Sequence, residues 1–189
     1  MSAERTRKVA AAVTITVIVV AVAQTLRFQG RLWTCACGQI YLWAGNIWSA
    51  HNSQHLLDPY AFTHALHGFL FFWLVSLAAP RLWPAWQFTL AMLLEAVWEV
   101  IENAPFIIDR YRAATIAVGY SGDTILNSGG DMLVCGLGFW LARWLGTRLS
   151  IVVFFLTELA LLVWVRDSLL LNVVMLFYPV EAIKSWQLG

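Results

Sequence analysis

Seventeen residues without a charge, VAAAVTITVIVVAVAQT (Val9–Thr25), follow the basic start Arg5, Arg7 and Lys8. In hydrocarbon such a segment satisfies its backbone N–H and C=O groups only by coiling into a helix. Four further segments are predominantly apolar: Tyr60–Ala79, Ala85–Asn103, Asp123–Leu145 and Leu149–Val165. Each approaches the ~20 apolar residues needed to cross a bilayer core. Pro80 closes the second segment, Pro84 suits the first turn of the third, and Pro105 follows its end. Ser168–Tyr178 is apolar but short, which predicts an interfacial or re-entrant helix. Ala21–Val22–Ala23 gives the first segment a signal-peptide layout, but Gln24, Thr25, Leu26 and Arg27 follow directly, so an uncleaved anchor is expected.

Composition agrees with this layout. Hydrophobic residues make up 60% of the chain and charged residues 12%, outside the usual soluble range. Eleven tryptophans suit a protein with two headgroup-level interfaces. The expected fold class is all-α: a polytopic transmembrane helix bundle of about five spans, forming one domain over residues 1–189 in a lipid bilayer. A net charge of +1 without a basic stripe argues against a nucleic-acid partner. Residues 27–59, rich in Trp, Gly, Asn and His, are expected to fold as a cap outside the membrane. The basic residues divide evenly between the two sides, and the cluster before the first helix tips the N-terminus towards the cytoplasm. Oligomeric state is not encoded in any recognisable pattern.

The polar residues on the spans carry the chemistry. His64 and His67 lie one helical turn apart in "HALHGFLFF". Glu95, Glu99 and Glu102 share one helix face, and so do Asp123, Asn127 and Asp131 on the following span. Consecutive spans alternate direction, so the start of the second, the end of the third and the start of the fourth meet on one side of the membrane. An ionised carboxylate near the bilayer centre costs roughly 2.5–3.5 kcal/mol even on the lenient insertion scale. Glu95 and Asp131, the deepest, must therefore be protonated, paired, hydrated or bound to a cation. His64 and His67, with Arg110 and Arg112 in the following loop, are the candidate partners. Glu158 on the fifth segment has no matching stripe.

Three roles stay open for this convergence. The stripes could be an interhelical hydrogen-bond network, a water-accessible functional pocket or independent interfacial residues. As a pocket, His64, His67, Glu99, Glu102 and Asp123 could bind a divalent metal such as zinc in a mixed N/O shell, with Glu95 and Asn127 lining it. As an acid/base site without metal, His64, His67, Glu99 and Asp131 would act on a headgroup ester or water. A proton relay or ligand pocket would use the same groups. No nucleophile-elbow, Walker or dinucleotide motif lies at a suitable strand–helix junction.

Cysteines and glycines add lesser signals. Cys35 and Cys37 in "WTCACG" are too close for an easy disulfide, and C-x-C alone is a weak metal pattern. Cys135 is expected to be a small buried apolar residue. Gly136 and Gly138 suit close helix packing, Gly129–Gly130 a bend beside Asp131, and Gly122 a turn before a capping Asp123.

Taken in order, "GRLWTCACGQIYLW", "NSQHLLDPYAFTHALHGFLFF", "LLEAVWEVIENAPFIIDRYR" and "GYSGDTILNSGGDMLVCGLG" resemble the bacterial multi-pass family called UPF0314 membrane proteins, over about residues 27–145. The resemblance implies the inner membrane of a proteobacterium and brings no biochemical activity with it. The scattered H-xx-HG, E-xxx-E and GD-xxx-N-xxx-D positions are also distantly similar to YjdF-like and VanZ-like membrane proteins, the latter associated with glycopeptide tolerance at the envelope. Two functions are therefore expected to compete. One is an envelope enzyme acting on a lipid headgroup or lipid-linked substrate. The other is a non-enzymatic binding or accessory protein whose polar stripes hold the bundle together.

Overall fold

Proline and glycine set most of the helix boundaries. The computed structural model describes residues 3–117 and 119–189. Among these the chain forms seven helices and no strand: α1 (Ala3–Phe28), α2 (Ala61–Ala78), α3 (Pro84–Glu102), α4 (Pro105–Ala114), α5 (Ile125–Val165), α6 (Leu169–Phe177) and α7 (Glu181–Leu188). Pro84 and Pro105 occupy the first turns of α3 and α4, where no N–H partner is lost. The helices α1, α2 and α5 are long and apolar enough to cross a membrane. With 19 residues α3 has comparable length, but it buries Gln87, Glu95 and Glu99.

Straight, the 41 residues of α5 would run about 60 Å, twice a hydrocarbon core. They are not straight. Gly146 takes φ 71 and ψ 166, a break between two helical halves. Before it, Gly68 of α2 lies against the backbone of Cys135–Phe139, and Phe72 meets Phe139, so this half runs parallel to α2. After it, Trp73 bonds Ser150 and packs on Phe154, while Phe62 meets Trp164, so the chain returns antiparallel. The helix α5 is therefore a hairpin astride α2. The bend lies at Gly146 and not at Gly129–Gly130, which stay helical. A side chain at Gly130 would meet the Leu56 carbonyl, so that glycine serves close approach.

Other contacts fix the remaining directions. Gln87 donates to the Ala79 carbonyl while Glu95 reaches His64, which sets α3 antiparallel to α2. Arg7 stacks over Trp83 and Gln29 bonds Val100, so α1 runs parallel to α3. One end of the bundle thus holds the start of α1, the α2–α3 turn and Gly146. The other gathers the cap, α4, α6, α7 and the starts of α2 and α5.

The core is apolar where helices meet: Leu66, Phe69, Phe72, Phe139 and Phe154 in one cluster, Leu26, Met92 and Met132 in another. The outer surface is apolar too. Val13, Val17 and Val20 of α1, and Phe155, Leu159 and Val163 of α5, are all more than half exposed. Apolar outside and polar within, the bundle is matched to lipid and would be a poor solute in water.

Two expectations are corrected here, and Glu158 gains a role. Arg110 and Arg112 sit on α4, not in a loop, and bond the carbonyls of Leu176 and Tyr120 at 2.7 and 2.6 Å. Asp123 precedes α5, whose cap is Thr124, accepting from the Asn127 N–H. Glu158 has partners of its own: its two oxygens accept from the backbone N–H groups of Leu169 and Leu170 at 3.0 Å, closing the start of α6. Beside it, buried Asp167 accepts from Tyr60, Asn172 and Gln187, which ties α6 and α7 to the start of α2. Burial pushes its carboxyl up to about 6.

Candidate functional site

The centre of the polar region is a single carboxylate. Glu95, fully buried on α3, places Oε1 2.6 Å from His64 Nδ1 and Oε2 2.9 Å from His67 Nδ1. The i, i+3 spacing on α2 lays the two rings on overlapping faces, with centroids 5.0 Å apart. His67 is further walled by the edge of Trp98.

The close approach of α2 to α5 supplies the next groups. Side chains at Gly68 or Gly138 would collide with the facing backbone, so only glycine permits this separation. It brings Asp131 Oδ2 to 4.0 Å from His64 Nε2, and Glu102 Oε2 lies at the same distance. Glu99 Oε1 is 3.4 Å from His64 Nδ1 but makes no hydrogen bond, because Glu95 already occupies that nitrogen. Both Glu99 oxygens, Glu102 Oε2, Asp131 Oδ1 and Asn127 Nδ2 are buried without a protein partner. Four carboxylates around two imidazoles cannot all be ionised in such a place without protons or a cation.

A cavity of about 60 Å³ adjoins these groups, bordered by His64, Glu102, Tyr111, Tyr120 and Asp131. At roughly 10–15 Å³ per water on this measure, it has room for an ion and a few waters and is too small for a whole lipid headgroup. Asn52 and Ser53 of the cap border its outer side. Ser53 is fixed there: its N–H donates to Asp58 at 2.8 Å, and its carbonyl accepts from Thr124 at 3.0 Å. Burial raises the Asp58 carboxyl above its ordinary value.

The residues singled out by sequence divide into two groups. His64, His67, Glu95, Glu99, Glu102, Asn127 and Asp131 come together. Ligand atoms of His64, His67 and Glu95, and of His64, Glu99 and Glu102, lie close enough to hold an ion. Asp123 borders the cavity but is engaged elsewhere, accepting from Asn103 at 2.8 Å and Tyr120 at 3.0 Å. Sequence reasoning missed Asp58, Asn103, Tyr111 and Tyr120, which lie on loops, a helix end and the unrecognised α4. The dense "NAPFIIDRYR" run after the third segment was the available signal for α4.

Comparison with known proteins places this architecture in one lineage. Residues 26–189 match the family described as "Protein of unknown function (DUF2585)". The chain is 44% identical over 167 residues to a UPF0314 protein of Brucella anthropi, covering 88% of this chain and 85% of that one. It is 46% identical over 162 residues to a UPF0314 protein of Rhizobium meliloti (85% and 82% covered), and 43% identical over 171 residues to one of Paracoccus denitrificans (90% and 88%). No solved structure matches. With nearly all of its length aligned to bacterial relatives of one name, the chain belongs to the UPF0314 (DUF2585) family.

Proposed function

We propose that this is a multi-pass inner-membrane protein whose buried pocket holds a divalent cation, zinc by preference, and acts on an ester of a lipid headgroup or lipid-linked substrate. One observation carries the proposal. Glu95 engages the Nδ1 atoms of both histidines, which leaves His64 Nε2 facing Glu102 and Asp131. Carboxylate on one ring nitrogen and ligand on the other is the arrangement by which proteins orient a metal-binding imidazole. The unpartnered oxygens of Glu99, Glu102 and Asp131 fit the same role, since an N/O donor set suits zinc and similar ions.

The cation would lower the pKa of a bound water and polarise the ester. The chain's own part is to position and to move protons. His64 and Glu102 hold the reacting centre, Glu95 keeps both rings oriented, and Asp131 or Glu99 accepts the proton of the attacking water. Water oxygen bonds to the ester centre, the bond to the leaving oxygen breaks, and that proton passes to the leaving oxygen. Cavity size admits only the ester group, so the rest of the substrate would stay at headgroup level beneath the cap.

In this proposal α1, α2, α3 and the two halves of α5 make five crossings. The cluster Arg5, Arg7 and Lys8 retains the N-terminus in the cytoplasm and puts the cap outside. Reporter fusions near His51 and Arg148 should then give opposite sides, His51 external.

Metal analysis of the purified protein, paired with a lipid comparison of a deletion strain, tests the function. Wild type should retain a cation that His64→Gln loses at the pocket, and only wild type should restore the lipid profile. A folded His64→Gln protein with unchanged metal and full complementation would overturn it. That outcome would favour a non-enzymatic accessory protein, a reading supported by the Glu95 bridge, which ties α2 to α3 whether or not an ion binds.

A further inference from the structure

The cap contains a second cluster that the pocket does not use. Residues 35–57 fold back on themselves, with the Leu56 N–H bonding the Tyr41 carbonyl and the Ala44 N–H bonding that of Leu57. This reversal carries Cys35 and Cys37 to His51 and His55. Cys35 Sγ lies 4.0 Å from His51 Nδ1, and His51 Nδ1 lies 2.9 Å from His55 Nε2. One donor atom from each of the four residues falls within 4.8 Å of the other three. Both cysteines are free thiols.

We propose that Cys35, Cys37, His51 and His55 form a structural zinc site that pins the cap over the pocket. Four donors of S₂N₂ type are the closed tetrahedral set that structural zinc prefers, and the group holds no carboxylate to favour a harder ion. The Cys37 thiol, which donates to the Gln39 carbonyl at 3.7 Å, would give up that proton on binding. A ring-to-ring hydrogen bond alone would account for the 2.9 Å separation of the imidazoles. It would not gather two sulfurs around the same nitrogens. The Tyr41 N–H donates to His55 Nδ1 at 3.3 Å, and coordination through Nε2, which puts the ring proton on Nδ1, would require that long contact to open. Cys35 and His55 are buried while Cys37 is exposed, so the ion has one open corner through which to enter.

The position of the cluster gives the site its purpose. His51 and His55 bracket Asn52 and Ser53, the cap residues that border the cavity. A metal across the four ligands joins this short roof to the Cys35–Cys37 turn. The site is independent of the cation proposed for the pocket, and sulfur ligation tells the two apart.

The test uses the full chain in detergent, loaded with Co²⁺ as the probe. A thiolate-to-cobalt charge-transfer band is expected in wild type and in His64→Gln, and its loss is expected in Cys37→Ser. Zinc content should fall by about one equivalent per chain in the same variant. Absence of the band in folded wild type, its survival in Cys35→Ser/Cys37→Ser (which would assign it to Cys135), or its loss in His64→Gln would each overturn the proposal. Should the cysteine variants fail to fold, thiol alkylation of wild type decides. Exposed Cys37 should resist labelling until a chelator is added, and equal labelling with and without chelator would overturn the site.

Discussion

The cap and the α2–α3–α5 junction each gather two histidines, and they do so by opposite means. In the cap the rings are four residues apart on an irregular loop, their neighbours are thiols, and one corner meets solvent. In the bundle the rings are three apart on a regular helix, their neighbours are carboxylates from two other helices, and the group is sealed. Packing already fixes the bundle cluster, because Gly68 and Gly138 lock α2 against α5 whatever occupies the site. The cap cluster is held by the Tyr41 ring against His51 and His55 and by the loop's own hydrogen bonds. Order in the bundle therefore precedes any ligand, whereas the zinc proposed for the cap would add a tie between its own four side chains.

The sharpest way to break that contrast is Glu95→Ala. It strands two buried imidazoles at once, and removing one partner of such a group costs about 3–5 kcal/mol. Thermal unfolding in detergent should show a large loss, and a wild-type melting temperature would mean that the rings are water-satisfied. Asp131→Ala should cost less stability, since Asp131 Oδ1 has no protein partner and Oδ2 reaches His64 Nε2 only at 4.0 Å.

Glu158→Ala sharpens the comparison from the other side of α2. It leaves two backbone N–H groups at the start of α6 without acceptors, worth about 1–3 kcal/mol, and Gln, with one acceptor oxygen, should restore only one of the two bonds. Partial rescue by Gln at Glu158 and none at Glu95 would separate a carboxylate that only accepts hydrogen bonds from one whose charge is needed.

The smallest effect is a pH slope. The Asp167 carboxyl is held at about 6 against an ordinary 3.8, so the folded state prefers the neutral acid. Its contribution is complete below 3.8 and is lost as pH rises through about 6. Wild type should therefore lose stability across that window relative to Asp167→Asn. A variant with the same slope as wild type would place the pH dependence elsewhere.

Legibility in the sequence followed how local each cause was. The second and third apolar segments match α2 and α3 to within a residue, because Pro80, Pro84 and Pro105 mark them directly. The Glu95–Glu99–Glu102 face was equally plain from periodicity. The helix α4 was missed because its ten residues mix charge with apolar side chains and follow a proline taken as a stop. Roles of Glu158 and Asp167 were invisible, since their partners are backbone N–H groups and side chains reached only after α5 folds back. Proximity of Cys35 to His51 had the same cause: only the cap's reversal makes sixteen residues of separation a contact.

Gly146 controls more than the shape of α5. Its φ and ψ fall in a region that essentially only glycine occupies, although nothing crowds the space where a side chain would project. The requirement for glycine there is one of backbone conformation alone. In the five-crossing topology proposed above, the glycine would set the parity of crossings and so the compartment in which the chain's last two helices are delivered. The second half has its seat on α2 only with this turn in place. A continuous helix would send Asp167 to the opposite face from Tyr60 and leave the α6 start without its acceptor. One residue's torsion angle thus decides the topology of the C-terminal quarter.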